Sequence, residues 1–195
     1  KLRTRVFPVG RLDFTSEGLI LLTNDGDFAE KLQKRDDIPR VYQAKLRGHL
    51  NEEMVTRIQR GARVDFKMVK PHSVRVSREL ESKSQLELVM MGSGAVDVRA
   101  MIEMKGFLVE RITRSAIGHI TLRGLNPGSY KLLKPTQVMS LLDRPELGLK
   151  QLARDIENAK PWGQRNIHTK KVVEGEVEAG KEGAETAAPV PRKPA

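Results

Sequence analysis

Apolar positions along residues 1–143 switch between two spacings, every second residue in some stretches and every third or fourth in others, with turn residues between them. Residues 5–9 read as a strand whose Pro8 marks an edge or an end. Residues 19–23 read as a buried strand closed by the turn Asn24-Asp25-Gly26, after which Asp27 is placed to cap a helix over 28–35. Residues 41–47 alternate, with Tyr42, Ala44 and Leu46 on one side and Gln43, Lys45 and Arg47 on the other, which predicts a half-exposed strand. Asn51 with Glu52 and Glu53 starts a helix that stops near Gly61. Strands are predicted over 74–76 and 85–91, then a helix over 96–105 ending at Gly106, then a strand over 107–113. Strands with helices inserted between them, and no internal repeat, predict an α+β fold.

The pattern weakens beyond this domain. Leu141, Leu142, Leu147, Leu149, Leu152 and Ile156 keep a roughly helical spacing, interrupted by Pro145 and Gly148, so 144–162 is expected to be a short helical extension of the 1–143 domain. Residues 163–195 are mostly Lys, Glu, Gly, Ala and Pro and are expected to be a disordered tail. A hydrophobic fraction of 38% supplies a core, while 31% charged and 4% aromatic residues predict a strongly solvated surface. The longest apolar run, Gly18 to Leu22, is far short of the roughly 20 residues a membrane span needs.

Charge narrows the partner. The net charge is +10 and the tail's basic and acidic residues nearly cancel, which leaves the excess on the folded part. A domain this basic points to a polyanion, nucleic acid ahead of a membrane surface. With no cysteine and four scattered histidines, neither a disulfide framework nor a metal site is expected. The absence of cysteine fits a reducing compartment, a bacterial cytoplasm or an organelle matrix.

Candidate chemistry lies in Gly10-Arg11-Leu12-Asp13-Phe14-Thr15-Ser16-Glu17-Gly18, a polar, glycine-bearing loop between two apolar strands. Taken singly, Asp13 is a turn former bonding its own backbone, and Tyr42 is a half-buried strand tyrosine. The longer string changes that. Gly10-Arg11-Leu12-Asp13 followed by Thr15-x-Glu17-Gly18-Leu19-Ile20-Leu21-Leu22-Thr23-Asn24-Asp25-Gly26 resembles the signature of the RsuA/RluB-type pseudouridine synthases, which isomerise uridine in ribosomal RNA. Arg40-Val41-Tyr42-Gln43-Ala44, Val109-Glu110-Arg111-Ile112 and the segment from Ile117 to Leu133 resemble further motifs of that family, so the likeness covers about residues 5–140.

The resemblance implies a pseudouridine synthase fold: a mixed, mostly antiparallel sheet with packed helices and a central cleft. It implies Asp13 as the nucleophile, Arg111 as its charge partner, and Tyr42 as the residue that stacks on the base and moves a proton at the sugar. No cofactor is implied, and the base must be flipped out of its helix, with Arg11 beside the extruded nucleotide. Arg11, Arg40, Arg99 and Arg114 are the candidates for binding RNA, with Arg3 and Arg5 as further surface cations. Ribosomal RNA is the expected partner, and a monomer is expected.

Two features depart from the family pattern. Members carry a small RNA-binding domain ahead of this region, whereas nine residues precede Gly10 and the chain opens on Lys1, so either the sequence is a fragment or processed form, or that module is absent. The family's arginine-rich run before the third helix is Gly92-Ser93-Gly94-Ala95-Val96-Asp97-Val98-Arg99-Ala100-Met101 here, with one arginine remaining of about four. Losing three phosphate contacts lowers the salt slope by about 2 on single-stranded RNA. The alternative expectation is therefore a degenerate synthase that serves as a non-catalytic rRNA-binding or ribosome-assembly factor.

Overall fold

A computed structural model describes residues 4–92 and 98–158. Arg3, residues 96 and 97 of the expected third helix, the end of the 144–162 extension and the whole 163–195 tail lie outside the described residues. The strands are β1 (Phe7–Pro8), β2 (Ser16–Gly18), β3 (Leu22–Thr23), β4 (Pro39–Arg47), β5 (Ala62–Val64), β6 (Lys67–Val69), β7 (Ser73–Leu80), β8 (Lys83–Met91), β9 (Val109–Ile117) and β10 (Ile120–Thr121). The helices are α1 (Gly26–Lys34), α2 (Glu52–Gln59), α3 (Val98–Glu103), α4 (Pro135–Asp143) and α5 (Glu146–Glu157).

The main sheet runs β10–β9–β4–β8–β7 with antiparallel neighbours, and β2 joins β9 in parallel. This is the α+β class that the residue pattern predicts and the mixed, mostly antiparallel sheet that the family resemblance implies. β4 differs from expectation in one respect. It keeps the expected alternation, with Tyr42, Ala44 and Leu46 buried and Gln43, Lys45 and Arg47 partly or fully exposed, but its first residues, Val41 included, are buried on both faces, and it is central, paired with β8 along 39–47 and with β9 along 40–46. Alternation reports which face a residue takes, whereas the pairing of both edges and the covering of the second face are set by strand order and by the layers packed on the sheet.

Two apolar clusters hold the layers together. One gathers Tyr42, Ala44 and Leu46 of β4, Leu86 and Leu88 of β8 and Ile112 of β9 under Ile58 of α2 and Met101 and Ile102 of α3. The other packs Val9, Leu19 and Leu21 with Leu32 of α1, Ile117 of β9 and Leu141 of α4. α5 follows Pro145, and its Gly148 lies against Pro39 and Gly118, too close for a side chain.

The N-terminal third shows two local differences. α1 is capped by Asp25 rather than Asp27: the Asp25 carboxylate accepts from the Phe28 backbone N–H at 2.9 Å, while Asp27 sits in the first turn. In 19–23 only Leu22–Thr23 is strand, and Ile20 and Leu22 are 40% and 48% exposed while Leu19 and Leu21 are buried. Leu22–Thr23 pairs with β1, and an unforeseen strand, β2, joins the main sheet, with Ser16, Glu17 and Gly18 opposite Ile112, Thr113 and Arg114.

Gly18 permits that pairing. Its φ is +115°, and a Cβ at this position would stand 2.4 Å from the Arg114 carbonyl oxygen. Gly18→Ala is expected to cost roughly 2–4 kcal/mol, combining backbone strain with overpacking. Urea unfolding reads this directly, and an unchanged midpoint would show that β2 does not approach β9 this closely.

Candidate active site

Asp13 is carried by the loop between β1 and β2, and the loop is anchored at its neck. Val9 donates to the Leu21 carbonyl and Leu19 donates to the Arg114 carbonyl, each at 2.8 Å, and both donors are buried in the second cluster. Leu12 packs against the first cluster. Leu12 thus leans on one core while Val9 and Leu19 at the neck belong to the other, and Phe14, next to Asp13, is fully exposed, which leaves the carboxylate on a turn at the surface of both cores.

The turn fixes the carboxylate locally. Ser16 N–H donates to the Asp13 carbonyl at 3.1 Å, and Thr15 Oγ1 donates to Asp13 Oδ2 at 3.3 Å. Thr15 in turn accepts from Arg99 Nε at 2.9 Å. Arg99 is spent on structure: its Nη1 donates to the Val109 carbonyl at 2.7 Å and pairs with Glu103 at 3.1 Å. Expected as a phosphate contact, Arg99 instead holds the residue that holds Asp13.

Tyr42 and Arg114 face each other across β4 and β9 as directly opposed residues, as do Ala44 and Ile112. Opposed residues project to the same side of a sheet, so Arg114 shares the face of Tyr42. Arg114 is only 3% exposed. Its Nε donates to the Leu19 carbonyl at 2.8 Å and its Nη1 to the Arg11 carbonyl at 3.0 Å, so one guanidinium ties both ends of the Asp13 loop. Its Nη2 is buried without a hydrogen-bond partner.

Arg40 precedes Tyr42 by two residues on β4, is also buried, and likewise leaves a buried nitrogen, Nη1, unpartnered. Burial pushes its guanidinium below the ordinary arginine value; the Tyr42 phenol opposes this shift and the like charge of Arg114 adds to it. Two buried guanidinium groups thus stand beside the tyrosine, each with one nitrogen closed off from solvent and without a hydrogen-bond partner.

The pairing expected between Arg111 and Asp13 is not formed. Arg111 Nε lies 3.1 Å from Glu17 Oε1, with its side chain 67% exposed, and Thr113 donates to the same carboxylate at 2.9 Å. The reason is strand parity. Residues 111 and 113 project to one face of β9 and residues 112 and 114 to the other, where Tyr42 stands. Among the described residues, Asp13 makes no ion pair.

Of the four arginines expected to meet RNA, Arg11 is exposed, whereas Arg40 and Arg114 are buried and Arg99 is engaged. Sequence reasoning missed Thr15 as the contact of Asp13 and Glu17 as the contact of Arg111. Arg114 shares the face of Ile112, and the pairing of Ile112 with Ala44 makes that the face of Tyr42. Cavities of about 340 and 420 Å³ lie elsewhere, one beneath α5 and one beside the start of α2. Among the described residues, no helix is long and apolar enough to cross a membrane.

Comparison with known proteins extends the picture. Residues 1–104 match the family described as RNA pseudouridylate synthase, a stretch that contains Asp13, Tyr42 and Arg99. An uncharacterized RNA pseudouridine synthase of Aquifex aeolicus is 34% identical over 151 residues, covering 77% of this chain and 60% of that protein. The ribosomal large subunit pseudouridine synthase B of Bacillus subtilis is 34% identical over 141 residues, covering 70% of this chain and 57% of its own length. The chain therefore spans less than two thirds of either relative. A pseudouridylate synthase crystal structure superposes with a TM-score of 0.59 at 24% identity, over 70% of this chain and 59% of that one, which shows a shared fold. With a matching family profile over more than half its length and a matching fold, the chain belongs to the RNA pseudouridylate synthase family.

Proposed function

We propose that this chain isomerises uridine to pseudouridine in ribosomal RNA, with Asp13 as nucleophile, Tyr42 against the base and Arg114 as the cation that keeps the site electrostatically balanced. The observation that carries the reading is Arg114: buried on the Tyr42 face, tied to both ends of the Asp13 loop, and left with one free guanidinium nitrogen. The relative in Bacillus subtilis named for the large ribosomal subunit supports ribosomal RNA as the substrate.

The isomerisation breaks the bond from N1 of the base to C1′ of the ribose and forms one from C5 to C1′; C5 loses its hydrogen as a proton and N1 takes one up, so product and substrate are isomers. A carboxylate attacks or stabilises C1′ without any cofactor, provided it stays ionised when the base covers it. Enclosure by a base disfavours that charge, and a fixed cation on the same side offsets the penalty. Arg114 meets this need better than Arg111, which is exposed and paired with Glu17. Tyr42 is held between β8 and β9 and is 5% exposed, so its contact with the base requires the side chains over it to give way when the nucleotide enters, after which its phenol serves as a proton-transfer group. Arg11, exposed and adjacent to the loop's anchored carbonyl, is placed to fill the space of the extruded nucleotide.

Release of tritium from rRNA carrying 5-³H-uridine measures the reaction. Asp13→Ala is expected to lower the rate by about 10⁴-fold or more while rRNA binding persists. Wild-type protein that binds rRNA and releases no tritium would instead make the chain a non-catalytic binding factor.

The two arginines of β9 are separated by the same assay. Arg114→Gln is expected to lower kcat by about 10²–10³-fold, whereas Arg111→Gln stays within about threefold of wild type. Thermal melts of both variants accompany the assay, because Arg114 also holds the loop. The opposite order of effects, Arg111→Gln inactive and Arg114→Gln active, would return the charge-partner role to Arg111.

A further inference from the structure

β5 and β6 form a two-stranded hairpin outside the main sheet, with Val64 opposite Lys67 and only Asp65 and Phe66 at its tip. Both tip residues have positive φ, +46° and +64°. A two-residue hairpin of this kind usually places glycine second, because a side chain there is strained. This chain instead places a phenylalanine there, with 93% of its surface exposed. Folding gains nothing from this arrangement: the ring is buried against no core, and the backbone would relax with glycine.

The surroundings indicate what the ring meets. Between residues 60 and 70 the exposed cations Arg60, Arg63, Lys67 and Lys70 face a single acid, Asp65. Arg63 Nε donates to the Phe66 carbonyl at 3.4 Å, which places a guanidinium at the base of the tip. Met68, two residues on from the ring, is also exposed. An aromatic face ringed by cations matches an unpaired nucleotide, whose base stacks while its phosphate meets the charges. A purely electrostatic contact needs no ring, and an apolar protein partner would not favour four cations.

The hairpin also stands on the reactive side of the sheet. Ala62 belongs to the same apolar cluster as Tyr42, with Val64 and Val69 packed against it, and β5 contacts α3, whose Arg99 holds Thr15 beside Asp13. We infer that the β5–β6 hairpin is an RNA-contacting finger, in which Phe66 stacks on an unpaired base flanking the target nucleotide and Lys67 and Lys70 bind its phosphates. The inference rests on the reading of the chain as an RNA-modifying protein.

Strain gives the test opposite signs for folding and binding. Phe66→Gly removes the ring and the strain together, so its melting temperature should equal or exceed that of the wild type. Its affinity for a single-stranded oligouridylate should nevertheless fall roughly fivefold to a hundredfold, the effect of removing one base-stacking aromatic. Phe66→Tyr, which keeps the ring, should bind as wild type does. The slope of log K against log salt should be unchanged in Phe66→Gly and smaller by about 0.7 in Lys67→Ala. A fully paired RNA duplex should not discriminate Phe66→Gly from wild type. Wild-type affinity of Phe66→Gly for the single strand overturns the inference, whether the tip serves another protein or nothing, and leaves the isomerase reading intact. Loss of tritium release in the wild type alongside an intact Phe66 effect overturns the isomerase reading alone.

Discussion

The site depends on one buried guanidinium. Arg114 joins three segments that are far apart in sequence: its own strand β9, the start of the Asp13 loop at Arg11 and the end of that loop at Leu19. A hydrogen bond from a charged donor contributes about 1.5–3 kcal/mol, yet burying the ion costs several kcal/mol, so the two bonds formed only partly compensate. The unpartnered Nη2 adds to the cost of burying the ion. A lysine could not replace this geometry, since the planar fork reaches two carbonyls that diverge from each other.

Around that clamp the fold is divided. The first cluster packs α2 and α3 on the face of β4, β8 and β9 that bears Tyr42, and the second packs α1 and α4 against Val9, Leu19 and the end of β9. Because the Asp13 loop contributes residues to both clusters, its carboxylate is positioned by two cores and not by loop rigidity alone. Sites built this way are held by packing, which fixes a reactive group more firmly than surface hydrogen bonds do. The chain from Arg99 through Thr15 to Asp13 adds an orientation that packing cannot supply.

Charge is partitioned in the same way. The +10 excess suggests that arginines serve RNA as a broad surface, yet several of the most suggestive ones are consumed within the fold. Arg40 and Arg114 are buried, Arg75 pairs with the nearly buried Glu87, and Arg111 pairs with Glu17. The cations left exposed on the β5–β6 hairpin stand out against this background, on an element that adds little to the core.

The amino-acid sequence by itself settled the longer strands and helices, the α+β class and the family, because these follow from local periodicity and from a long ungapped string around Asp13, while the short strands β2, β5, β6 and β10 left no readable pattern. It also located the loop and β4, since both are short-range patterns. It did not settle which arginine of β9 faces inward. Arg111 and Arg114 are three residues apart on a strand, and their faces follow from parity, which becomes legible only once Ile112 is known to lie opposite Ala44. The Asp25 cap and the pairing of β2 were missed for a related reason, since neighbouring residues compete for one role and the winner is set by geometry. The burial of Arg40 on a central strand, and the strain at Phe66, belong to tertiary structure alone. Strand order and turn conformation are decided by contacts between segments that the linear pattern does not record.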